Sequence, residues 1–256
     1  MAFAVTGPAR ALGNFFSMCM DTFVQMFIPP FAWREFLLQT WFVARVSLVP
    51  TLALTIPFTV LLTFMLNLLL ASIGAADLSG AGAALSAVTQ IGPVVTVLVV
   101  AGAGATAMCA DLGSRTIRDE LDALRVMGVD PIRALIVPRV LAATLVSLLL
   151  SSLAVTVGLF GSFFFAVYFQ HVTPGAFVSG LTFLVGTSEV VVCLIKATLF
   201  GLTAGLIACF RGITVGGGPQ GVGNAVNETV VFSFVGLMMI DMIVTGIAAQ
   251  AAGRSI

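Results

Sequence analysis

Three ionisable side chains lie inside otherwise apolar stretches of this chain, where the chemistry open to them is narrow. Glu189 and Lys196 fall in one stretch and Asp241 falls in another. A charge at the centre of a bilayer costs about 3 kcal/mol or more, so such residues usually face an opposite charge or a wet cavity. Two kinds of chemistry fit: an internal ion pair, or binding of an ion, a proton or the charged group of a substrate.

Lys196 and Asp241 are predicted to lie at similar depth in the membrane. Lys196 is nine residues from the start of its stretch near 187, and Asp241 is eight residues from the end of its stretch near 249. At the helical rise of 1.5 Å per residue, both are about 12–14 Å from the outer end. We expect either that they pair, or that Lys196 faces a translocation cavity and meets the carboxylate or phosphate of a substrate. Glu189 is closer to the surface and is expected to be interfacial.

A second concentration of charge lies in residues 114–139, which hold nine of the 22 charged residues of the chain. Ile117, Leu121 and Leu124 have the spacing of one helical face within this segment. Charged residues occupy the opposite face, where they are close enough for weak ion pairs. The pattern predicts a short amphipathic helix.

The ends of this helix are marked by particular residues. Ser114 can cap its first turn, Gly128 is typical of the residue that follows a helix, and Asp130 with Pro131 starts the next helix. The segment 114–128 is therefore joined closely to an apolar helix on each side. Two interpretations stay open: a solvated loop helix, or a helix whose apolar ridge docks in a groove of a cytoplasmic partner while its charges set the register.

The rest of the chain is strongly apolar. Of its 256 residues, 59% are hydrophobic and only 9% are charged, and the mean hydropathy is +1.15. A soluble domain carries about 25% charged residues, so this chain cannot cover a water-facing surface and is predicted to be an integral membrane protein. The net charge of zero gives no electrostatic basis for binding nucleic acid.

Five apolar runs reach the roughly 20 residues that a membrane-spanning helix needs. They cover residues 46–73, 87–110, 136–165, 187–209 and 228–249. Residues 10–38 alternate aromatic and polar side chains, which is typical of an amphipathic helix in the membrane interface. The predicted fold is one all-α integral membrane domain over 1–256, with an N-terminal interfacial helix, five transmembrane helices, and the 114–128 helix between spans two and three.

The basic residues are concentrated in alternate connections, which predicts the orientation of the spans. The segment before span one and the connections between spans two and three and between spans four and five hold nine of the 11 Lys and Arg residues. The connections at 74–86 and 166–186 hold none. We therefore expect a multi-pass protein with a cytoplasmic N-terminus and an extracytoplasmic C-terminus, with Arg254 as the one basic residue in an outer segment.

The sequence contains no pattern that predicts catalysis. The glycine-rich stretch GGGPQGVG at 216–223 lacks the lysine and the preceding strand of a phosphate-binding loop, so it is predicted to be a tight cytoplasmic turn. Four isolated cysteines and one histidine, His171, suggest neither a disulfide framework nor a metal site. Any ATP hydrolysis must therefore come from another chain.

Two motifs resemble those of a known family. The first comprises ADLG at 110–113, DELDAL at 119–124, VMGVDPI at 126–132 and PRVLA at 138–142; the second comprises GGPQGVG at 217–223 and AVNETVV at 225–231. Over roughly residues 33–250 the chain resembles the MlaE/YrbE permeases, the membrane subunits of lipid-transporting ABC systems that work with MCE (mammalian cell entry) proteins. NET at 227–229 and VVAGAGA at 99–105 are most similar to the actinobacterial YrbE branch, particularly its "A"-type subunits. Asp111 stands where the family often has Glu and keeps the charge.

The resemblance implies that the segment matching 114–128 is a coupling helix that docks on an ATPase. The residues implied in this contact are Arg115, Arg118, Asp119, Glu120, Leu121, Asp122, Leu124, Arg125, Met127 and Gly128. The chain itself would bind no cofactor, because ATP and Mg would lie on two copies of a cytoplasmic ABC ATPase. A second permease, expected to be a non-identical homologue, and extracytoplasmic MCE proteins would complete the assembly, and a lipid would be its substrate.

We therefore predict a permease subunit, not an enzyme, of an ATP-driven lipid importer in the cytoplasmic membrane of an actinobacterium. Closure of the ATPases would push on residues 114–128 and rearrange the spans around a lipid-sized cavity. The alternative is an ion- or proton-coupled secondary transporter or channel that uses Glu189, Lys196 and Asp241 as ligands. Its activity would persist without any ATPase.

Overall fold

The chain folds into a bundle of long helices. A computed structural model describes residues 8–28, 32–72, 74, 78–170 and 172–251, with side chains except at 8–10, 71, 170, 182–184 and 251. The helices are α1 (Pro8–Met26), α2 (Trp33–Ser72), α3 (Ser79–Thr116), α4 (Glu120–Val126), α5 (Val137–Gln170, after a π-helical turn at Ile132–Ile136), α6 (Pro174–Leu184), α7 (Thr187–Ile213) and α8 (Gly218–Ala251). These described ranges contain no β-strand.

Five of these helices, α2, α3, α5, α7 and α8, are long and apolar enough to cross a membrane. The protein is therefore an all-α integral membrane protein, as predicted. Each helix extends beyond the apolar run that predicted it, because hydropathy marks the part of a helix in the hydrocarbon and not its capped ends. The C-terminal residues 252–256, including Arg254, and His171 lie outside the described residues.

The helix predicted over 114–128 is shorter than expected. Residues up to Thr116 continue α3, and the hydroxyls of Ser114 and Thr116 donate hydrogen bonds back to carbonyls within that helix. The predicted N-cap at Ser114 is therefore wrong. Helix α4 begins at Glu120 after a turn in which Asp119 has φ 56°, a left-handed conformation that Asp tolerates better than most residues.

The N-terminal segment 10–38 contains the end of one helix and the start of another. Helix α1 ends at Met26 and α2 begins at Trp33, and residues 29–31 between them are not among the described residues. One face of α1 packs on the bundle, where Phe15 meets Phe210 edge to face at 5.3 Å between ring centroids. Phe16 and Met20 on the other face are exposed, as an interfacial helix requires.

Small and hydroxylated residues line the contacts between the spans. Thr51, Thr55 and Thr59 form a buried stripe on α2, and one turn further Thr63 lies 2.8 Å from Ser162 of α5, oxygen to oxygen. On α7, a Cβ at Gly201 would lie 2.5 Å from the carbonyl oxygen of Ala143. Such residues let helix backbones approach closely where the hydrophobic effect cannot drive association.

Helix α6 is a short helix that the sequence reasoning did not identify. It begins at Pro174, and its N-terminal half packs against the start of α3, where Gly80 lies against the backbone of Phe177. Phe177 is fully buried and meets Phe163 edge to face at 5.5 Å. The connection predicted at 166–186 is therefore largely helical, and it lies at the end of the bundle opposite to α4.

Candidate functional site

The end of the bundle that carries α4, here called the charged end, is organised by a buried arginine. Arg139 has no exposed surface, and its guanidinium lies 2.6 Å from a carboxylate oxygen of Asp111 and 3.6 Å from one of Glu35. It also donates a hydrogen bond to the carbonyl of Leu135 at 3.1 Å. Asp111 is shared with Arg115 at 3.4 Å. The charges therefore join the starts of α2 and α5 to the end of α3.

This ion-pair network was missed from the sequence, although its residues were in view. Asp111 and Arg139 both lie in the quoted family motif, but they are 28 residues apart along the chain. Their contact follows only once α3 and α5 are known to be antiparallel neighbours. The signal that could have found it is the lone Arg139 at the start of an apolar run, since an arginine there needs a partner.

Helix α4 projects from this end between two left-handed residues. After Asp119, the helix runs to Val126 and is closed by Gly128 at φ 77°. The amide of Gly128 donates to the carbonyl of Arg125 at 3.0 Å, and that of Val129 donates to the carbonyl of Leu124 at 2.9 Å. This is the hydrogen-bonded ending that favours glycine, as predicted.

The apolar ridge predicted to enter a partner's groove instead packs largely against the chain itself. Leu121 is only 7% exposed and belongs to the core, and Leu124 is partly buried against it. The exposed large apolar residues of 114–128 are Ile117 at 36%, which belongs to the predicted ridge, Val126 at 89% and Met127 at 68%. A surface available to another protein is therefore formed by the end of α4 and not by its buried ridge.

The charged residues of α4 surround this exposed end. Arg125 pairs with Asp122 at 2.9 Å, and Arg118 pairs with Glu120 at 3.3 Å. All four are exposed, so the pairs add little stability but set a pattern of charge around the apolar patch. The structure therefore brings the predicted contact residues of 118–128 into one projecting segment, while Arg115 turns back toward Asp111.

At the opposite end of the bundle, the structure brings Lys196 and Asp241 together. The ammonium nitrogen of Lys196 lies 2.8 Å from Asp241 Oδ1 and donates a hydrogen bond to the hydroxyl of Thr245 at 2.7 Å. Asp241 Oδ1 accepts no directed hydrogen bond, so the contact with Asp241 is an ion pair. The side chain of Lys196 is 4% exposed, which makes this pair the buried charge centre of α7 and α8.

The ion pair borders a cavity of about 180 Å³. The polar residues lining it are Lys196, Glu189, Ser188, Gln90, Thr89 and Thr245. Gln90 lies on a π-helical turn of α3, Ala87–Ile91, a distortion that is frequent at functional sites. Lys196 therefore pairs with Asp241 and also lines a cavity, and its contact with a substrate there stays a prediction.

Glu189 has a local structural role at the mouth of this cavity. Its carboxylate accepts a hydrogen bond from the amide of Gly186 at 2.9 Å and another from the hydroxyl of Ser188 at 3.0 Å. These contacts cap the first turn of α7, where a negative charge also suits the helix dipole. Glu189 therefore lines the cavity while closing a helix end.

The glycine-rich stretch 216–223 is mostly helical, which corrects the predicted turn. Helix α8 begins at Gly218, and the left-handed Gly217 and Gly218 form the bend after α7. Ten residues into α8, Glu228 pairs with Arg211 at 2.6 Å. The guanidinium of Arg211 also lies 4.4 Å from the ring centroid of Phe232, a cation–π contact.

Comparison with known proteins places this geometry in a family. The sequence profile described as Permease MlaE matches residues 36–247. The chain is 33% identical over 167 residues to the chloroplastic protein Trigalactosyldiacylglycerol 1 of Arabidopsis thaliana, which covers 65% of this chain and 48% of that protein. It is 31% identical over 180 residues to a probable ABC transporter permease protein of Synechocystis, which covers 70% and 68% of the two chains.

A third relative, a probable ABC transporter permease protein of Rickettsia typhi, is 29% identical over 161 residues, or 63% of this chain and 62% of that protein. The chain thus spans about half of the plant relative and about two thirds of the bacterial ones. The profile match includes both quoted motifs, α4, and the residues of the Lys196–Asp241 pair. This chain belongs to the MlaE permease family.

Proposed function

We propose that the chain is the membrane subunit of an ATP-driven lipid transporter and that α4 is its coupling helix. The observation that carries the proposal is the projecting α4 segment, with Val126 and Met127 exposed and its base tied to three spans through Arg139. An apolar patch surrounded by charges of both signs fits a protein groove. Membership of a permease family and similarity to ABC transporter permeases support this assignment.

The partners follow from this assignment as parts of the proposal. Two copies of a cytoplasmic ATPase carry ATP and Mg, a second permease of the YrbE type pairs with this chain, and MCE proteins continue the lipid path outside the membrane. The subunit resembles the actinobacterial "A" type and works in import across the cytoplasmic membrane. Its relatives come from a plant, a cyanobacterium and a rickettsia, so the branch rests on the motifs NET and VVAGAGA.

The Lys196–Asp241 pair and its cavity supply the proposed contact for the lipid headgroup. A buried ammonium that already touches a carboxylate is placed to exchange this partner for the carboxylate or phosphate of an entering lipid. The exchange keeps the ammonium paired throughout, which avoids the cost of an isolated charge in the membrane. The cavity of about 180 Å³ accommodates a headgroup, and the acyl chains would lie outside it.

The test is capture of the ATPase by tagged chain in mild detergent, with the captured protein identified by its nucleotide-binding motifs and its ATP hydrolysis. Replacing Val126 and Met127 together by Asp is expected to weaken binding about tenfold or more, since burying charges without partners costs several kcal/mol. Gly175→Asp adds a charge at an exposed position on α6 and should leave binding unchanged. Equal capture of the ATPase by the parent chain, the double Asp variant and the Gly175→Asp variant would overturn the docking role of α4.

The second candidate function is ion- or proton-coupled transport, favoured by the same buried pair of Lys196 and Asp241. Flux measured in proteoliposomes that contain the chain but no ATPase separates the two functions. The proposed lipid transporter requires ATP and the ATPase for movement of a fluorescent fatty acid or phospholipid. Ion or proton flux that persists in the absence of both would favour the second candidate.

A further inference from the structure

The helices that carry Lys196 and Asp241 are held at the charged end by the last turns of α3. Thr116, the final residue of α3, donates a hydrogen bond from its hydroxyl to the carbonyl oxygen of Gly212 on α7 at 2.9 Å. The same hydroxyl also approaches the carbonyl of Leu112 in its own helix at 2.9 Å. Thr116 lies only four residues before α4 begins at Glu120. The base of the coupling helix therefore contacts α7 directly.

Two glycines make this contact unusually close. A Cβ at Gly212 would lie 2.9 Å from Cβ of Leu112, and a Cβ at Gly113 would lie 3.1 Å from Val215 and 3.3 Å from Val222. The missing side chains bring the end of α3 close to the end of α7 and the start of α8, with only the side chains of Leu112, Val215 and Val222 in these contacts. Packed interiors of this kind transmit small displacements instead of absorbing them.

The ends of α7 and α8 are in turn fastened to one another. Arg211 pairs with Glu228 at 2.6 Å and lies over the ring of Phe232 at 4.4 Å. From Gly212, α7 continues to Lys196, about 24 Å away at the helical rise, and α8 runs about 20 Å from Glu228 to Asp241. The two helices are thus joined by the Arg211–Glu228 pair at the charged end and by the Lys196–Asp241 pair beside the cavity. In the second pair, the nitrogen and the oxygen are 2.8 Å apart.

We propose that Gly113, Thr116 and Gly212 are positioning residues that pass the displacement of α4 through α7 and α8 to the Lys196–Asp241 pair. A displacement at the base of α4 moves the ends of α7 and α8 that contact it. Because the two helices are stiff, the displacement changes the distance between Lys196 and Asp241 beside the cavity. ATP on the partner would then control access to Lys196. This inference rests on the proposed function, because it requires an ATPase that moves α4.

The test uses two variants that alter this contact and two matched controls. Thr116→Val removes the hydroxyl at nearly constant shape, and Gly113→Ala adds a methyl group against Val215 and Val222. Thr106→Val is the control for the first, since the Thr106 hydroxyl bonds only to carbonyls of its own helix. Gly223→Ala is the control for the second, because a Cβ there meets no atom within 4 Å.

The readout is labelling of a cysteine placed at Ala248 in the cavity wall, compared with and without ATP and vanadate, in the complex with its ATPase in liposomes. The native cysteines of the described chain are buried or partly buried, and burial raises the pKa of the Cys19 thiol, so their background is low and is subtracted with the parent chain. Lipid-dependent ATP hydrolysis and lipid transfer are measured on the same samples. A merely structural role would not move the nucleotide dependence of labelling.

We expect the effect of ATP on labelling, and the coupled lipid transfer, to fall about 2- to 30-fold in Thr116→Val and Gly113→Ala, the range of mutations along a coupling route. Both controls should behave as the parent. Normal nucleotide dependence in both variants would overturn the inference, and so would loss of ATPase binding in these variants alone, since the contact would then serve assembly. A parent complex that transfers lipid independently of ATP would overturn the proposed function instead.

Discussion

At the scale of single residues, the two ends of the protein are organised by buried charges with different surroundings. Arg139 is held by two carboxylates and a carbonyl, and it does not line the cavity beside Lys196. Lys196 has one carboxylate and one hydroxyl and borders open space. A cation that is fully enclosed by fixed partners holds helices together, and a cation beside a cavity can exchange its protein partner for a ligand.

The ion pairs of Arg139 predict that two substitutions lower the stability of the protein by different amounts. Asp111→Ala leaves the buried guanidinium with the carbonyl of Leu135 and, as its one carboxylate, the more distant Glu35 at 3.6 Å; removing a partner from a buried charge costs roughly 3–5 kcal/mol. Arg139→Met removes the buried charge and leaves Asp111 near Arg115 at 3.4 Å, so the loss should be smaller. Thermal unfolding in detergent, followed by size exclusion, is expected to show the lower Tm for Asp111→Ala. The reverse order would show that Glu35 alone can satisfy Arg139.

The pair at Lys196 predicts a different pattern, in which stability and transport separate. Lys196→Met alone leaves the partly buried carboxylate of Asp241 without its cation, whereas the double variant with Asp241→Leu removes both charges and should recover much of the lost stability. If Lys196 binds the lipid headgroup, the double variant assembles with the ATPase but transfers an anionic lipid at least about tenfold more slowly. Transport that recovers together with stability would show that the pair is structural.

At the scale of helices, the sequence predicts the spans well and their junctions poorly. Hydropathy identified all five membrane helices, because burial in hydrocarbon demands long apolar runs. It could not identify α6, which is only 11 residues long, or the start of α4, where α3 continues through Ser114 to Thr116. These junctions depend on side-chain hydrogen bonds and tertiary contacts that leave no periodic pattern.

The same distinction applies to the candidate site. The common depth of Lys196 and Asp241 followed from counting residues along two apolar runs, and the structure confirms their contact at 2.8 Å. The ridge of Leu121 and Leu124 had the correct helical spacing, but spacing does not say what a face packs against. Here the face packs on the chain's own core, so the residues that we propose for docking are the exposed Val126 and Met127.

At the scale of the whole molecule, α7 and α8 connect the two ends. Each helix carries one residue of the Lys196–Asp241 pair. Near the base of α4, the end of α3 contacts them at Gly212, Val215 and Val222. Helices α2 and α5 instead meet along a stripe of buried hydroxyls and join α3 through Arg139. Helix α7 also packs closely on α5, where a Cβ at Gly201 would lie 2.5 Å from the carbonyl oxygen of Ala143, so α7 lies between α5 and α8.

The proposed coupling through α4 requires that the charged end face the compartment that holds ATP. The distribution of basic residues predicts this orientation, since nine of the 11 Lys and Arg residues lie in segments at that end.

An exposed cysteine at position 118, made by Arg118→Cys, should react with a membrane-impermeant maleimide only after the cells are permeabilised. Ser188→Cys, exposed at the start of α7, should react in intact cells. Because each of the five spans crosses the membrane once, consecutive connections lie on opposite sides, and these two labels fix the side of every connection. Labelling of position 118 in intact cells would place α4 beyond the reach of any ATPase, and the coupling role of α4 would then be excluded.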